Sequence, residues 1–373
     1  MLNEKKSYNI RNILIVSTVT VADDELGGGE IHLNHLIEYW KKRDINIDFL
    51  SIKEFNQLNF SNNLKYSFIS TDKLIKINNL TGEQIRNSDL ILSASPFPAN
   101  LFNSIKLSKK YNKKVMCYFH HIPPSIFIHP LRRGFFRTLL NVVYFKYAIY
   151  VVKKNHIGIF LDHPDTLKNS KVKVYEDLDA IDERDIYTVN KNSKIYDLCY
   201  LGRLTKPKGI MDLIKVCKML SDSNINLKVA IIGEYSPKMK TKLDKLINKY
   251  KLIDNFIFFG YVDNTKKLEL LSNSKMFISL SYEEGWSLSV MEAAAVGIPI
   301  IVYALPAYSY LKGNYYSAPI GDINEIKLLI INLLKNIDTS NSYTKNAMRL
   351  AKSYHYSDIA EEQLRYMENF LNT

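Results

Sequence analysis

Twice along this chain, short apolar runs of strand length alternate with longer segments of helical spacing, and that alternation restricts the fold to parallel sheets covered by helices. In the first half, residues 12–17 (NILIVS) read as a strand. GGGEIHLNHLIEYWKKRD reads as a glycine-started helix with apolar positions at Ile31, Leu33, Leu36, Ile37 and Trp40, followed by a second strand at 45–51. Further strands are expected at 90–94, 115–119 and 157–160, with helices at 102–111 and 135–153. A second series begins with strand 196–200 and continues through helix 209–220, strand 227–232, helix 237–250, strand 256–259, helix 265–271 and strand 276–280. The expected fold class is therefore α/β, with two doubly wound domains at 1–190 and 191–356. Their boundary falls in EDLDAIDERDIYTVNKNSK, read as a solvated linker, and a last helix at 357–373 is expected to pack back onto the first domain. Ligands of open parallel sheets bind beyond the carboxyl ends of the strands, so the expected site is a central cleft faced by two such edges.

Length and composition fit two well-filled cores, with 373 residues of which 46% are hydrophobic. Cys117, Cys199 and Cys217 lie in apolar surroundings without CxxC spacing, which points to core residues of a reduced compartment and away from disulfide or zinc frameworks. The N-terminal apolar run is too short for a signal peptide, and no charge-free run reaches transmembrane length, so a cytoplasmic protein is expected. The net charge of +12 calls for an anionic partner. Between Asp89 and Asp162 there is no acidic residue but eleven basic ones, and PLRRGFFRTLLNVVYFKYAIYVVKKN is a helix-length apolar segment with basic ends. That pattern suits peripheral docking on an anionic membrane surface. No recognisable nucleic-acid-binding module is present, so nucleic acid is not an expected partner.

The stretch EGWSLSVMEAAAVGIPIIV, residues 284–302, joins this architecture to chemistry. It follows a strand-like run and becomes helical near Ser289, which places Gly285, Trp286, Ser287 and Leu288 in a strand-to-helix turn. Free N–H groups at a helix start hold phosphate, and the flanking carboxylates of Glu284 and Glu292 accept hydrogen bonds from sugar or ribose hydroxyls. Ser289 and Glu292 also have the spacing of a capping box, which is the competing structural reading.

With these pieces in order, the chain resembles the GT4 family of retaining glycosyltransferases. YLGRLTKPKGIMDLIKV is similar to the family's GR…KG element, IIGEYS to its glycine-ended strand, FFGYVDNTKKLELLSNSKMFISLSYEEG to the run before its signature, and Glu284 to Glu292 to its E-x7-E. The resemblance implies a GT-B architecture of two Rossmann-like domains and a nucleotide-sugar donor (a UDP- or GDP-sugar) bound without metal or other cofactor. It further implies that Glu292 holds the ribose, Glu284 the transferred sugar, and Arg203 and Lys208 the pyrophosphate. Gly202, Gly285, Trp286, Ser287 and Leu288 would line the donor, and Tyr261 would contact its base. In the first domain, GGGEIHLNHL is similar to the family's glycine-rich loop, with Gly27 and Gly28 closest to the donor, and His120 is implied beside the sugar, with His121 as the alternative. Two departures stand out: VYEDLDAID replaces the usual Asn-Gly-Val-Asp-like turn, and Ser287 replaces the second glycine of EGFG. The implied activity is hexose transfer to an acceptor hydroxyl, and the basic, aromatic first domain with its acid-free interval points to a lipid-linked glycan or glycolipid as the acceptor. The alternative of the same architecture is a non-hydrolysing nucleotide-sugar 2-epimerase.

Overall fold

A computed structural model describes residues 8–17, 28–51, 67–70, 79–120, 135–168, 170–181, 194–336 and 341–373. The chain divides into two compact units, one made of Met1–Pro123, Leu140–Asp179 and Tyr356–Thr373, the other of Pro124–Leu139 and Ala180–His355.

Among the described residues the first unit has seven strands: β1 (Asn12–Ser17), β2 (Asn46–Ser51), β3 (Ser67–Ser70), β4 (Leu90–Ser93), β5 (Lys114–Phe119), β6 (Gly158–Leu161) and β7 (Val174–Glu176). All pair in parallel, in the order β3-β2-β1-β4-β5-β6-β7. Residues of β4 and β6 are buried throughout, which is why these strands read as continuous apolar runs and not as alternating ones. The described helices of this unit are α1 (Gly28–Lys42), α2 (Asn79–Asn87), α3 (Pro98–Tyr111), α4 (Phe135–Lys154), and a helix at the end of the sequence. Pro98 starts α3 with φ already fixed for a helix, and Asn112 ends it in the left-handed conformation. The terminal helix, Tyr356–Leu371, packs along α1, where the buried indole of Trp40 donates to the carbonyl of Ala360 at 3.1 Å. Gly158 is needed beneath it, since a Cβ there would press on the Phe370 ring at 3.1 Å.

The start of the expected solvated linker is not solvated. Asp177 and Asp179 are buried, 2% and 8% exposed, and both accept from His32. Buried carboxylates persist where charge and hydrogen bonds compensate them, and here the partners come from α1 and the terminal helix, far away in sequence.

The second unit has six parallel strands, β8 (Tyr196–Leu201), β9 (Val229–Ile232), β10 (Phe256–Gly260), β11 (Ser274–Ser279), β12 (Ile300–Tyr303) and β13 (Tyr316–Ala318), ordered β10-β9-β8-β11-β12-β13. Its described helices are α5 (Ile210–Ser221), α6 (Pro237–Tyr250), α7 (Asn264–Ser272), α8 (Leu288–Val296), α9 (Ile323–Lys335) and α10 (Asn341–Ala351), and the terminal helix is numbered α11. Local chemistry sets several of their ends. Ser236, Asp263 and Asp322 accept from the backbone N–H groups of Met239, Lys266 and Glu325, and Gly297 at φ 79° stops α8. Leu198, Val229, Ile231, Met276 and Ile278 form the sheet side of a core that Leu213, Ile214 and Ile326 close from the helices. All three cysteines are buried, and burial pushes their thiols up. Among the described residues no helix is long and apolar enough to cross a membrane.

Candidate functional site

In the second sheet the strand order reverses between β8 and β11, so the loops leaving their carboxyl ends diverge and leave a crevice. Gly202 follows β8 at φ 149° and donates to Ile232 at 3.0 Å, while Gly233 lies so close that a Cβ on it would enter the Gly202 carbonyl. The chain then makes one 3-10 turn, Lys206–Lys208, and enters α5 through Gly209 at φ 73°. A Cβ at Gly209 would enter the Leu280 carbonyl, and the N–H of Tyr282 donates to Pro207 O at 2.8 Å. These contacts lay the turn directly on the segment that leaves β11. The hydroxyl of buried Tyr200 sits 3.2 Å from Arg203 O and 3.3 Å from Lys208 O, bracing both ends of the loop. Sequence reasoning gave Tyr200, at the head of the GR…KG element, no role.

The consequence is a charged cluster at the crevice. Lys208 Nζ lies 2.7 Å from each carboxylate oxygen of Glu284, with the glutamate side chain 9% exposed and the lysine 30%. Burial, followed by the charge of Glu284, pushes the hydroxyls of Tyr200 and Tyr308 up and keeps them neutral. Arg203 is exposed on the same loop. Glu292, on α8, pairs with Lys267 at 2.5 Å, a partner that sequence reasoning also missed.

The capping-box reading fails on this geometry. The N-cap is Ser287, in the left-handed region at φ 72° and ψ 77° with no side-chain cap, and Glu292 turns to Lys267. Val290 and Met291 donate to Ser287 O at 3.1 and 3.2 Å, so the N–H groups of Leu288 and Ser289 stand ahead of the first intrahelical acceptor, at the positive end of the helix. A left-handed serine costs on the order of 1–2 kcal/mol where glycine would cost almost nothing.

Trp286 is placed differently from what a ligand-lining side chain requires. Its indole is buried, stacked on Tyr310 at 4.5 Å and edge-on to Tyr354 at 5.4 Å. Packing occupies the side chain, so its turn presents backbone. Tyr261 follows edge strand β10, separated from β8 by β9, and is 72% exposed.

In the first unit, Gly28 is the first residue of α1, while Gly27 and His121 lie outside the described residues. His120 follows β5 and stacks on Tyr118 at 5.6 Å with 3° between the rings. Its imidazole lies over the start of α1, where a Cβ on Gly29 would come within 2.7 Å of Nε2. Among the described residues no group of three or more His, Cys, Asp or Glu is arranged to hold a metal ion.

Two doubly wound parallel sheets with these edges have the GT-B fold, and solved structures agree over nearly the whole chain. Sucrose-phosphate synthase from Thermosynechococcus elongatus matches with a TM-score of 0.75 over 97% of this chain and 100% of that one, at 15% identity. HepE of Anabaena, solved in complex with UDP and glucose, matches with a TM-score of 0.75 over 96% and 100%, at 12% identity. Residues 182–350 match the model of the family described as glycosyl transferases group 1. Glycosyltransferase MJ1059 of Methanocaldococcus jannaschii is 29% identical over 225 residues, covering 56% of this chain and 52% of that protein. Poly(glycerol-phosphate) alpha-glucosyltransferase of Bacillus subtilis is 28% identical over 170 residues, 44% of this chain and 25% of its own length. The chain thus spans about half, or less, of these two relatives. Through residues 182–350 the chain is similar to the glycosyl transferases group 1 family.

Proposed function

We propose that this protein transfers a hexose from a nucleotide sugar to an acceptor hydroxyl with retention of configuration. The observation that carries this reading is the Lys208–Glu284 pair at the start of α8, held by the Tyr200 hydroxyl and the Gly209 contact. In the reaction the bond between the anomeric carbon and the leaving phosphate breaks, the acceptor oxygen bonds to that carbon on the same face, and its proton passes to the phosphate. Negative charge grows on the phosphate, and Lys208 and Arg203 stabilise it electrostatically. Two fixed cations meet that need without a metal. The N–H groups of Leu288 and Ser289 support the same phosphates. Glu284 orients the sugar hydroxyls, Glu292 accepts from the ribose, Gly28 allows backbone approach to the donor, and His120 donates to a sugar hydroxyl.

The donor follows from a thermal-shift screen of UDP-, GDP- and ADP-sugars. The matching donor should raise the melting temperature of the wild type and lose most of that effect with Glu292→Ala. A charge-assisted hydrogen bond contributes about 1.5–3 kcal/mol, equivalent to roughly 10–150-fold in affinity. An undiminished shift in the variant would remove Glu292 from the donor site.

For the acceptor we propose a lipid-linked glycan or glycolipid at the inner face of an anionic membrane. Leu140, Val143, Tyr147 and Tyr150 form one apolar stripe along α4, each more than half exposed, and Tyr147 meets Phe102 of α3 at 6.2 Å. The same two helices carry exposed Lys106, Lys109 and Lys110 (α3) and Lys146, Lys153 and Lys154 (α4), with no acidic residue from 90 to 161. The wild type should sediment with phosphatidylglycerol vesicles at about 50 mM salt and release at about 500 mM. Leu140→Asp with Tyr147→Asp should weaken binding at least ~10-fold. Failure of the wild type to bind at low salt would refute the membrane assignment.

A further inference from the structure

His32 lies one turn into α1 and is 3% exposed, yet both of its ring nitrogens face carboxylates. Nε2 is 2.9 Å from Oδ1 of Asp177, and Nδ1 is 3.1 Å from Oδ1 of Asp179. An ionised carboxylate accepts and cannot donate, so an imidazole bonded to both must carry a proton on each nitrogen. The same two oxygens also receive the terminal helix: Gln363 Nε2 donates to Asp177 at 2.7 Å and the Tyr356 hydroxyl to Asp179 at 2.5 Å. Asp162, at the end of β6, is the third buried carboxyl, and burial together with the charges of Asp177 and Asp179 pushes its pKa up, favouring its neutral form.

The cluster leads back to His120. Gln363 accepts the hydroxyl of Tyr118, Tyr118 stacks on His120, and His120 lies over Gly29, three residues before His32 on the same helix. Two of the four places where the chain passes from one unit to the other, Asp179 to Ala180 and His355 to Tyr356, have their first-unit ends fastened here, because Asp179 and Tyr356 bond to each other.

We propose that His32 is a positioning residue held as an imidazolium, whose two N–H groups fasten the first turns of α1 to Asp177 and Asp179 and thereby fix the seat of His120 against Gly29. The link to turnover rests on the function proposed above for His120; the protonation state and the clasp do not. Burial alone disfavours the charged ring, but the two carboxylates outweigh it and hold the pKa well above the ordinary histidine value. The other titratable groups facing the cluster are Asp162, Tyr118, Tyr356 and, stacked on Tyr356 from α1 at 4.5 Å, His35. A raised folded-state pKa stabilises fully below the unfolded value of 6.5, and the contribution is lost as pH rises through the folded pKa.

Side-chain NMR of the full chain with nitrogen-labelled histidine tests this, His32 being assigned by difference from His32→Gln. At about pH 8, where an ordinary histidine is neutral, His32 should show two protonated ring nitrogens. A neutral His32 overturns the proposal. His32→Gln offers one donor group to two carboxylates, so the His120 ring signals should move and amide exchange over residues 28–36 should speed at least ~10-fold. Trp40→Phe, which cuts the contact to Ala360 farther along the same helix pair, should leave the His120 signals in place. Equal movement in both variants would reduce His32 to a generic buttress and sink the positioning role. If His32→Gln does not fold, Asp179→Asn should lower the His32 pKa and shift His120 in the same way, and no change in either would count against the proposal. None of these readouts needs a sugar donor, so a protein that no nucleotide sugar stabilises would refute the transferase reading while leaving the clasp standing.

Discussion

Lys208→Met should leave the second unit folded and lower kcat/KM for the true donor by roughly 10²–10³. Methionine keeps the apolar stem and removes only the ammonium, so the loss measures charge stabilisation of the departing phosphate. Glu284 complicates the arithmetic. Its carboxylate is 9% exposed and bonds to Lys208 through both oxygens, so the single variant also strands a nearly buried anion. Lys208→Met with Glu284→Gln separates the two effects. Groups acting as a unit are non-additive, so the double variant should turn over about as slowly as the worse single one while recovering part of its stability. Activity of Lys208→Met within about threefold of wild type would remove the lysine from the phosphate site.

Gly209→Ala should cost more than about 3 kcal/mol of stability, and should be read as a loss of folding before any loss of catalysis. Two penalties coincide there: φ is 73°, and the new methyl would enter the Leu280 carbonyl on the neighbouring strand exit. Gly260 and Gly313 provide the control. They sit at φ 66° and 78° with nothing within 4 Å of an added Cβ, so alanine at either should cost only the left-handed penalty, on the order of 1–2 kcal/mol. Urea midpoints of the three variants would sort the contributions. A Gly209→Ala protein no weaker than Gly260→Ala would mean that the turn is not clamped to the β11 exit.

What sequence reasoning reached, and what it missed, follows how far each signal travels along the chain. Residues 237–250 coincide with α6 because Ser236, Pro237 and the apolar spacing of Leu243 and Ile247 are all local. The strand Ser67–Ser70 and the three-residue strands β7 and β13 carry too few side chains for a period to register, and Ile300–Tyr303 was absorbed into the apolar tail of the 284–302 motif. Within the site, Lys208 and Glu284 stand in separate motifs 76 residues apart, and the structure brings them together. Tyr200, Lys267 and His32 gain their meaning only from partners that folding delivers. Trp286 shows the reverse: the motif marks its turn, while Tyr310 and Tyr354, which no motif marks, draw the ring into the core. Asp177 and Asp179 looked like linker charge for the same reason, since nothing near them in sequence announces His32, Tyr356 or Gln363.

The discontinuity of the first unit also bears on how the chain is made. The core of the second unit lies wholly within the uninterrupted stretch Ala180–His355, whereas the sheet that precedes it draws on the terminal helix. Until Tyr356–Leu371 is synthesised, Trp40 lacks the Ala360 carbonyl, Asp177 lacks Gln363, and the groove over Gly158 lacks Phe370. The half translated first is therefore the half whose native contacts are completed last.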